Sequence, residues 1–338
     1  MVASHAPAKL KYWADITYRM LRIRTVIVMI TFEAIGYEAV KPTKSISLNF
    51  IWVAIMLAAL YTSATCFNDV ADEEVDKVNL VNDVSRPLVT TNVTGQQLKR
   101  LGIIALIVAA VAAALVSPAY VLFVVAGAAL SIFYSVPPFH LSYRGILASL
   151  WLPLSYVVHP FLAGALFQGK LDRQSLYILI AMYCCFVGRI LLKDFRDYEG
   201  DKKFGKLNYL VRHGPKTTCL VAGLAWLVGD AVFVGTLSRT YPVLTIVMQP
   251  IIAIIFYGLY LLAYEKDYSQ KLLEVLFVGR LGNAIALALL AALTLRAFDY
   301  PNSQKNLTVI AVGTFMALTA VGLWKDAALR KELRAKKA

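Results

Sequence analysis

Apolar stretches of about 18 to 25 residues recur along this chain, interrupted by short polar connections. Each is long enough to cross a hydrocarbon core of roughly 30 Å as a helix. Spans are expected at about 25 to 40, 47 to 67, 101 to 117, 119 to 136, 146 to 168, 174 to 193, 217 to 237, 242 to 264, 272 to 295 and 307 to 324. No alternating ten-residue strand pattern appears, and spanning segments must satisfy their own backbone hydrogen bonds, so the expected class is all-α. The pattern leaves no room for a separate soluble domain, so residues 1–338 read as a single transmembrane domain.

The polar interruptions are not uniform. Two are acidic: Asn68-Asp69-Val70-Ala71-Asp72-Glu73-Glu74-Val75-Asp76, and Lys193-Asp194-Phe195-Arg196-Asp197-Tyr198-Glu199-Gly200-Asp201, each where a long apolar segment ends. Asp69, Asp72 and Asp76 stand at i, i+3 and i+7, and Asp194, Asp197 and Asp201 repeat that spacing. At about 100° per residue each trio falls within an arc of about 60° on a helix. Asn68 extends the first face, and Lys193 holds the matching slot beside the second. Carboxylates crowded on one face repel unless a cation sits between them or their pKa values rise. Two such faces at the rim of a membrane predict a pocket for a hard divalent metal and phosphate. Glu73, Glu74 and Glu199 point off these faces and read as solvent charges.

Composition agrees with the pattern. With 59% hydrophobic residues and a mean hydropathy of +0.64, the chain is too apolar for a soluble globule. The formal charge of +13 does not indicate nucleic acid, because most basic residues sit in short juxtamembrane connections. With a cytoplasmic N-terminus, the positive-inside rule puts both acidic runs on the cytoplasmic side. The polar, basic stretch through Arg24 leads into a full-length span with no cleavage site, so no signal peptide is expected. Cys66, Cys184, Cys185 and Cys219 lack a paired metal-ligand spacing and read as packing residues.

Smaller signals fill in the connections. Pro137-Pro138 stops a helix after Tyr134-Ser135. Pro153 and Pro160 kink the fifth span, and His159 reads as a packed, hydrogen-bonded side chain. Thr94 and Gln97 have the spacing of a capping box. Lys202, Lys203, Lys206, Arg212 and Lys216 make the second loop rich in cations and read as orientation charges, whereas Lys77, Arg86 and Lys193 are candidates to balance the charge of bound phosphate.

Magnesium typically joins one or two carboxylates to substrate phosphates. Two facing acidic helix ends would hold two such ions around a diphosphate whose apolar tail lies between helices. That combination predicts a lipid diphosphate donor, with metal stabilising the leaving group and aromatic faces near Phe67, Tyr134, Phe195 and Tyr198 stabilising a carbocation.

These residues resemble the UbiA-type intramembrane prenyltransferase superfamily. Its NDxxDxxxD signature is matched by Asn68 to Asp76, its DxxxD by Asp197 to Asp201 with Gly205 following, and its YSxPP by Tyr134 to Pro138. The resemblance implies a bundle of nine to ten transmembrane helices around a central cavity, and transfer of an isoprenoid chain from its diphosphate to a lipophilic or aromatic acceptor among membrane lipids. It implies magnesium, with manganese able to substitute. The implied metal set is Asn68, Asp72, Asp76, Asp197 and Asp201, with Asp69 and Asp194 adjacent. Asp72, Asp76, Asp197 and Asp201 are the implied catalytic carboxylates, and Lys77, Arg86, Tyr134, Lys193 and Asp194 surround the diphosphate. The second run with Phe204-Gly205 and Val211-Arg212-His213-Gly214 is similar to members acting on homogentisate, chlorophyllide or glycerol-lipid acceptors. The first run followed by Ser85-Arg86-Pro87 looks equally like the branch that transfers phosphoribose to polyprenyl phosphate. An ion-coupled transporter is a further reading, since Arg280 lies inside an apolar span. Family members typically have nine spans, one fewer than expected here.

Overall fold

The computed structural model describes residues 6–80, 83–264 and 268–326, with side chains from residue 10 and, after the second gap, from residue 271. Asn82 and the tail beyond 326 lie outside the described residues. In chain order the helices are α1 (Ala6–Leu21), α2 (Ile23–Val40), α3 (Leu48–Ala71), α4 (Glu73–Asn79), α5 (Pro87–Thr90), α6 (Gly95–Val116), α7 (Val121–Ser135), α8 (Ile146–Pro153), α9 (His159–Gln168), α10 (Arg173–Lys203), α11 (Tyr209–Leu237), α12 (Pro242–Tyr264), α13 (Tyr268–Thr294) and α14 (Asn302–Lys325). The fold is all-α, and among the described residues the extended backbone contributes one isolated bridge, Gly145 with Asn208.

Among the described residues nine helical segments are long and apolar enough to cross a membrane. The first expected span, α2, is helical, but its 18 residues carry Arg24, Glu33 and Glu38 and it stands apart from those nine. The sixth expected span runs ten residues further than its apolar stretch, because α10 carries the acidic run on the same continuous helix. The fifth is interrupted as its prolines require: α8 ends at Pro153, a π-helical turn covers Leu154–Val158, and α9 resumes at His159, which is buried.

The chain groups into two compact units, residues 1–28 with 48–140 and residues 29–47 with 141–338. In the first, α3 packs along α6, where Gly102 leaves room for Cys66 and Phe67: a Cβ there would lie 3.1 Å from each side chain. Ile16 and Met20 of α1 close one end against Cys66, Val93 and Leu98. Thr94 caps α6 in the expected box, accepting from the Gln97 amide while the Gln97 side chain accepts from the Thr94 amide.

In the second unit α10 and α11 form the closest pair. A Cβ on Gly188 would lie 2.7 Å from the Ala222 carbonyl oxygen, and one on Gly229 would lie 2.9 Å from that of Ala181. Small residues that let two backbones approach replace the hydrophobic effect as the source of helix association in lipid. This pairing fixes α10, and with it the second acidic run.

Candidate active site

In the first unit the acidic run begins on the last turn of α3 and passes a bend at Asp72 (φ −99°, ψ 12°) into α4. Backbone bonds from Asp72 N to Asn68 O (2.9 Å) and from Asp76 N to Asp72 O (2.8 Å) carry the helical register across the bend. Asp69, Asp72 and Asp76 therefore remain neighbours, and all three are buried.

Asp69 is enclosed by cations. The Arg22 guanidinium donates to both its oxygens at 2.6 Å, and Arg86 makes a short contact through Nη1. The same Arg86 nitrogen lies 3.2 Å from an Asp76 oxygen. Arg86 is itself buried, and its Nε finds no acceptor. The Asn68 amide donates to Asp72 at 3.1 Å and to the Ser135 hydroxyl at 3.2 Å, tying the run to the end of α7 next to half-buried Tyr134. Lys77 does not join this group. It lies on the exposed side of α4, 3.0 Å from Glu73 and 2.7 Å from Glu74, whose hydrogen bonds hold its ammonium above the ordinary lysine range.

In the second unit Asp194, Asp197 and Asp201 lie along one stripe of α10, as their spacing requires. Lys193 lies 2.7 Å from Asp194, and Arg196 grips Asp197 through two nitrogens at 2.7 and 3.1 Å. Asp201 is held by the reversal at the end of the helix. Phe204 ends α10, and Gly205 takes φ 70°, a conformation open to glycine. Lys206 N then bonds to Asp201 O (2.8 Å) and Gly205 N to Lys202 O (3.4 Å), the paired bonds of a Schellman ending. The chain returns so that the Asn208 amide donates to the Asp201 carboxylate at 2.7 Å, with the buried Lys206 ammonium 3.9 Å away.

Sequence reasoning singles out the carboxylates, Arg86 and Lys193; it reads Lys206 only as a loop cation and Ser135 only as part of the Tyr134–Pro138 element, and it does not name Arg22 or Asn208. For Asn208 a signal existed, an asparagine directly before a helical pattern, and it does cap α11 by accepting from Val211 N at 2.8 Å. Arg22 had none, because its contact with Asp69 joins positions far apart in sequence.

The model of the UbiA prenyltransferase family matches residues 28–279. The chain belongs to the UbiA prenyltransferase family. It is thus an integral, multi-pass membrane protein and an enzyme of a prenyl-transferring family. A digeranylgeranylglyceryl phosphate synthase of Pyrococcus horikoshii is 26% identical over 198 residues, covering 59% of this chain and 67% of that protein. A chloroplast chlorophyll synthase of Arabidopsis thaliana is 26% identical over 268 residues, covering 70% and 67%. The fold is similar to that of a UbiA homologue from Archaeoglobus fulgidus bound to DMAPP and Mg2+, with a TM-score of 0.62 at 17% identity, covering 89% of this chain and 99% of that one.

Proposed function

We propose that this UbiA protein moves an isoprenoid chain from its diphosphate to a lipophilic or aromatic acceptor, using magnesium, with its acidic groups at the cytoplasmic face. The observation that carries the reading is Arg86. A buried guanidinium whose Nε lacks an acceptor, beside Asp69 and Asp76, suits an anionic oxygen brought in by a ligand.

The residues fit magnesium. Among the described residues no three His, Cys, Asp or Glu side chains gather closely enough to ligate an ion alone. Magnesium takes one or two carboxylates, keeps water and completes its shell with phosphate oxygens, and the buried pairs of neighbouring carboxylates with an adjacent amide are donors of that kind. Asp72 and Asp76, with Asn68, would hold it in the first unit, and Asp197 and Asp201 in the second. Magnesium, when bound, offsets the negative charge that grows on the departing diphosphate. Asp69, with both oxygens committed to arginines, aims Arg86. In the second unit Asp194 positions Lys193.

The donor's carbon–oxygen bond breaks with its electron pair going to the diphosphate, and the acceptor forms the new bond and releases a proton. Arg86 in the first unit, and Lys193 and Lys206 in the second, each carry N–H groups suited to anionic phosphate oxygens, and such contacts strengthen as charge accumulates, which favours the transition state over the ground state. Tyr134, half-buried at the end of α7, offers an aromatic face to a carbocation.

Purified protein given labelled geranyl diphosphate, magnesium and a membrane lipid extract should yield a new lipid bearing the label, detected by mass spectrometry. Phosphoribosyl diphosphate in the same assay should yield none. Labelled product from the sugar donor alone would replace this reading with phosphoribosyl transfer.

A further inference from the structure

At the end of the second unit remote from Asp201 lies a cavity of about 200 Å³, lined by Thr240, Tyr241, Arg296, Asn302, Lys305 and Asn306 among others. α11 is broken at Gly214 (φ 76°, ψ 173°), and its continuous part, residues 215–237, roughly 35 Å of helix, lies between the Asp201 end and the cavity. No Asp or Glu lines it. Of the acids outside the lining, Asp299 pairs with Lys44 at 3.1 Å, and Asp172 accepts from the Ser175 amide and hydroxyl at 2.7 and 2.6 Å while lying within the field of Arg296. Burial raises the Asp172 pKa, but those bonds and the field of Arg296 outweigh it and leave the carboxyl below its ordinary range.

Three further features point to an anion. The half-buried Tyr241 hydroxyl lies beside Arg296 in the cavity lining; burial raises its pKa, and the positive field of Arg296 and its hydrogen bond oppose the shift. The first turn of α14 opens onto the cavity: Gln304 N and Lys305 N bond back to Pro301 O, while the first amides of the helix have no intrahelical acceptor. Asn302 and Asn306 add side-chain amides one turn apart. Cations, a hydroxyl, amides and a helix start, with no carboxylate, form a recognition set for a phosphate group.

We propose that this cavity binds a phosphate group, that of an anionic membrane lipid in the leaflet opposite the second acidic run. The level in the membrane supports a lipid source: Phe298 and Tyr300, rings stacked at 5.5 Å, lie on the connection between the lining residues Arg296 and Asn302, and aromatic side chains concentrate where headgroups lie. The site is separate from the prenyl-transfer chemistry and does not rest on it.

The test uses full-length protein released from vesicles of phosphatidylcholine and phosphatidylglycerol, with native mass spectrometry counting the phosphatidylglycerol retained. Wild type and Lys170→Gln, an exposed cation just before α10 and outside the cavity lining, should retain it alike. Arg296→Gln combined with Lys305→Gln should weaken retention at least about tenfold. Should that pair fail to fold, Lys305→Gln alone, at a half-exposed position, should weaken it by about threefold with an unchanged melting temperature. Release of the lipid by millimolar inorganic phosphate would support the phosphate chemistry while naming free phosphate as its source. Equal retention by wild type and the folded variants would overturn the proposal.

Discussion

Asn208 and Asp201 are joined by a 2.7 Å hydrogen bond, and the same asparagine caps α11 through Val211 N at 2.8 Å. One side chain thus begins a helix with its oxygen and orients a buried carboxylate with its nitrogen. Asn208→Ala removes both roles and should cost about 1–2 kcal/mol in stability through the lost cap. Asn208→Ser keeps the cap but cannot reach Asp201. It should melt close to wild type while turnover falls about tenfold or more, the loss of a bond to a charged group. Wild-type turnover in the serine variant would show that Asp201 needs no such support.

Arg86 and Lys77 separate two kinds of cation. Arg86→Ala strips a partner from buried Asp69 and Asp76 and should destabilise by about 3–5 kcal/mol, with loss of turnover. Arg86→Lys keeps the charge without the fork, so activity should return only in part. Lys77→Ala, on the exposed flank and paired with Glu73 and Glu74, should leave turnover within about twofold, like the exposed control Lys99→Ala. A Lys77→Ala loss matching that of Arg86→Ala would return Lys77 to the diphosphate.

Much of this was legible in sequence for a definite reason. The i, i+3, i+7 aspartates and the long apolar runs are local patterns, and a helix converts local spacing directly into a face. The helix stop before Pro137-Pro138, the Thr94 cap and the kink between Pro153 and Pro160 are equally local. What was not legible is long-range or depends on backbone reversal. The Arg22–Asp69 pair needs α1 to end where α3 does, and the return of Lys206 and Asn208 to Asp201 depends on Gly205 at φ 70°. Nor does spacing show that the bend at Asp72 and the adjacent Glu73 and Glu74 hold Lys77 on the outer flank of α4.

The α10–α11 contact makes a separate prediction about packing. Gly229→Ala forces a Cβ against Cys185 and the Ala181 carbonyl, and Gly188→Ala against Ala222 and Trp226. Each should lower stability by about 1–3 kcal/mol. Gly235→Ala, on the same α11 with nothing within 4 Å, should be neutral or raise stability by up to about 1 kcal/mol. Thermal unfolding in one detergent compares all three.

Orientation is open to labelling. In a cysteine-free background, Lys202→Cys beside the second acidic run should react with an impermeant thiol reagent only from the cytoplasmic side, and Ser303→Cys at the start of α14 only from the other. Reaction of both from one side would mean that the helices between them do not alternate as their lengths require.

The central claim is that paired acidic groups, filled with magnesium, drive departure of a diphosphate. The most direct measurement is turnover of labelled geranyl diphosphate by the wild type with magnesium, the wild type in chelator, and Asp72→Ala and Asp201→Ala with magnesium, each checked for unchanged melting. The account predicts a drop of about hundredfold or more in the last three, restored by added magnesium only in the chelated wild type. Full turnover in chelator, or in either alanine variant, would contradict it.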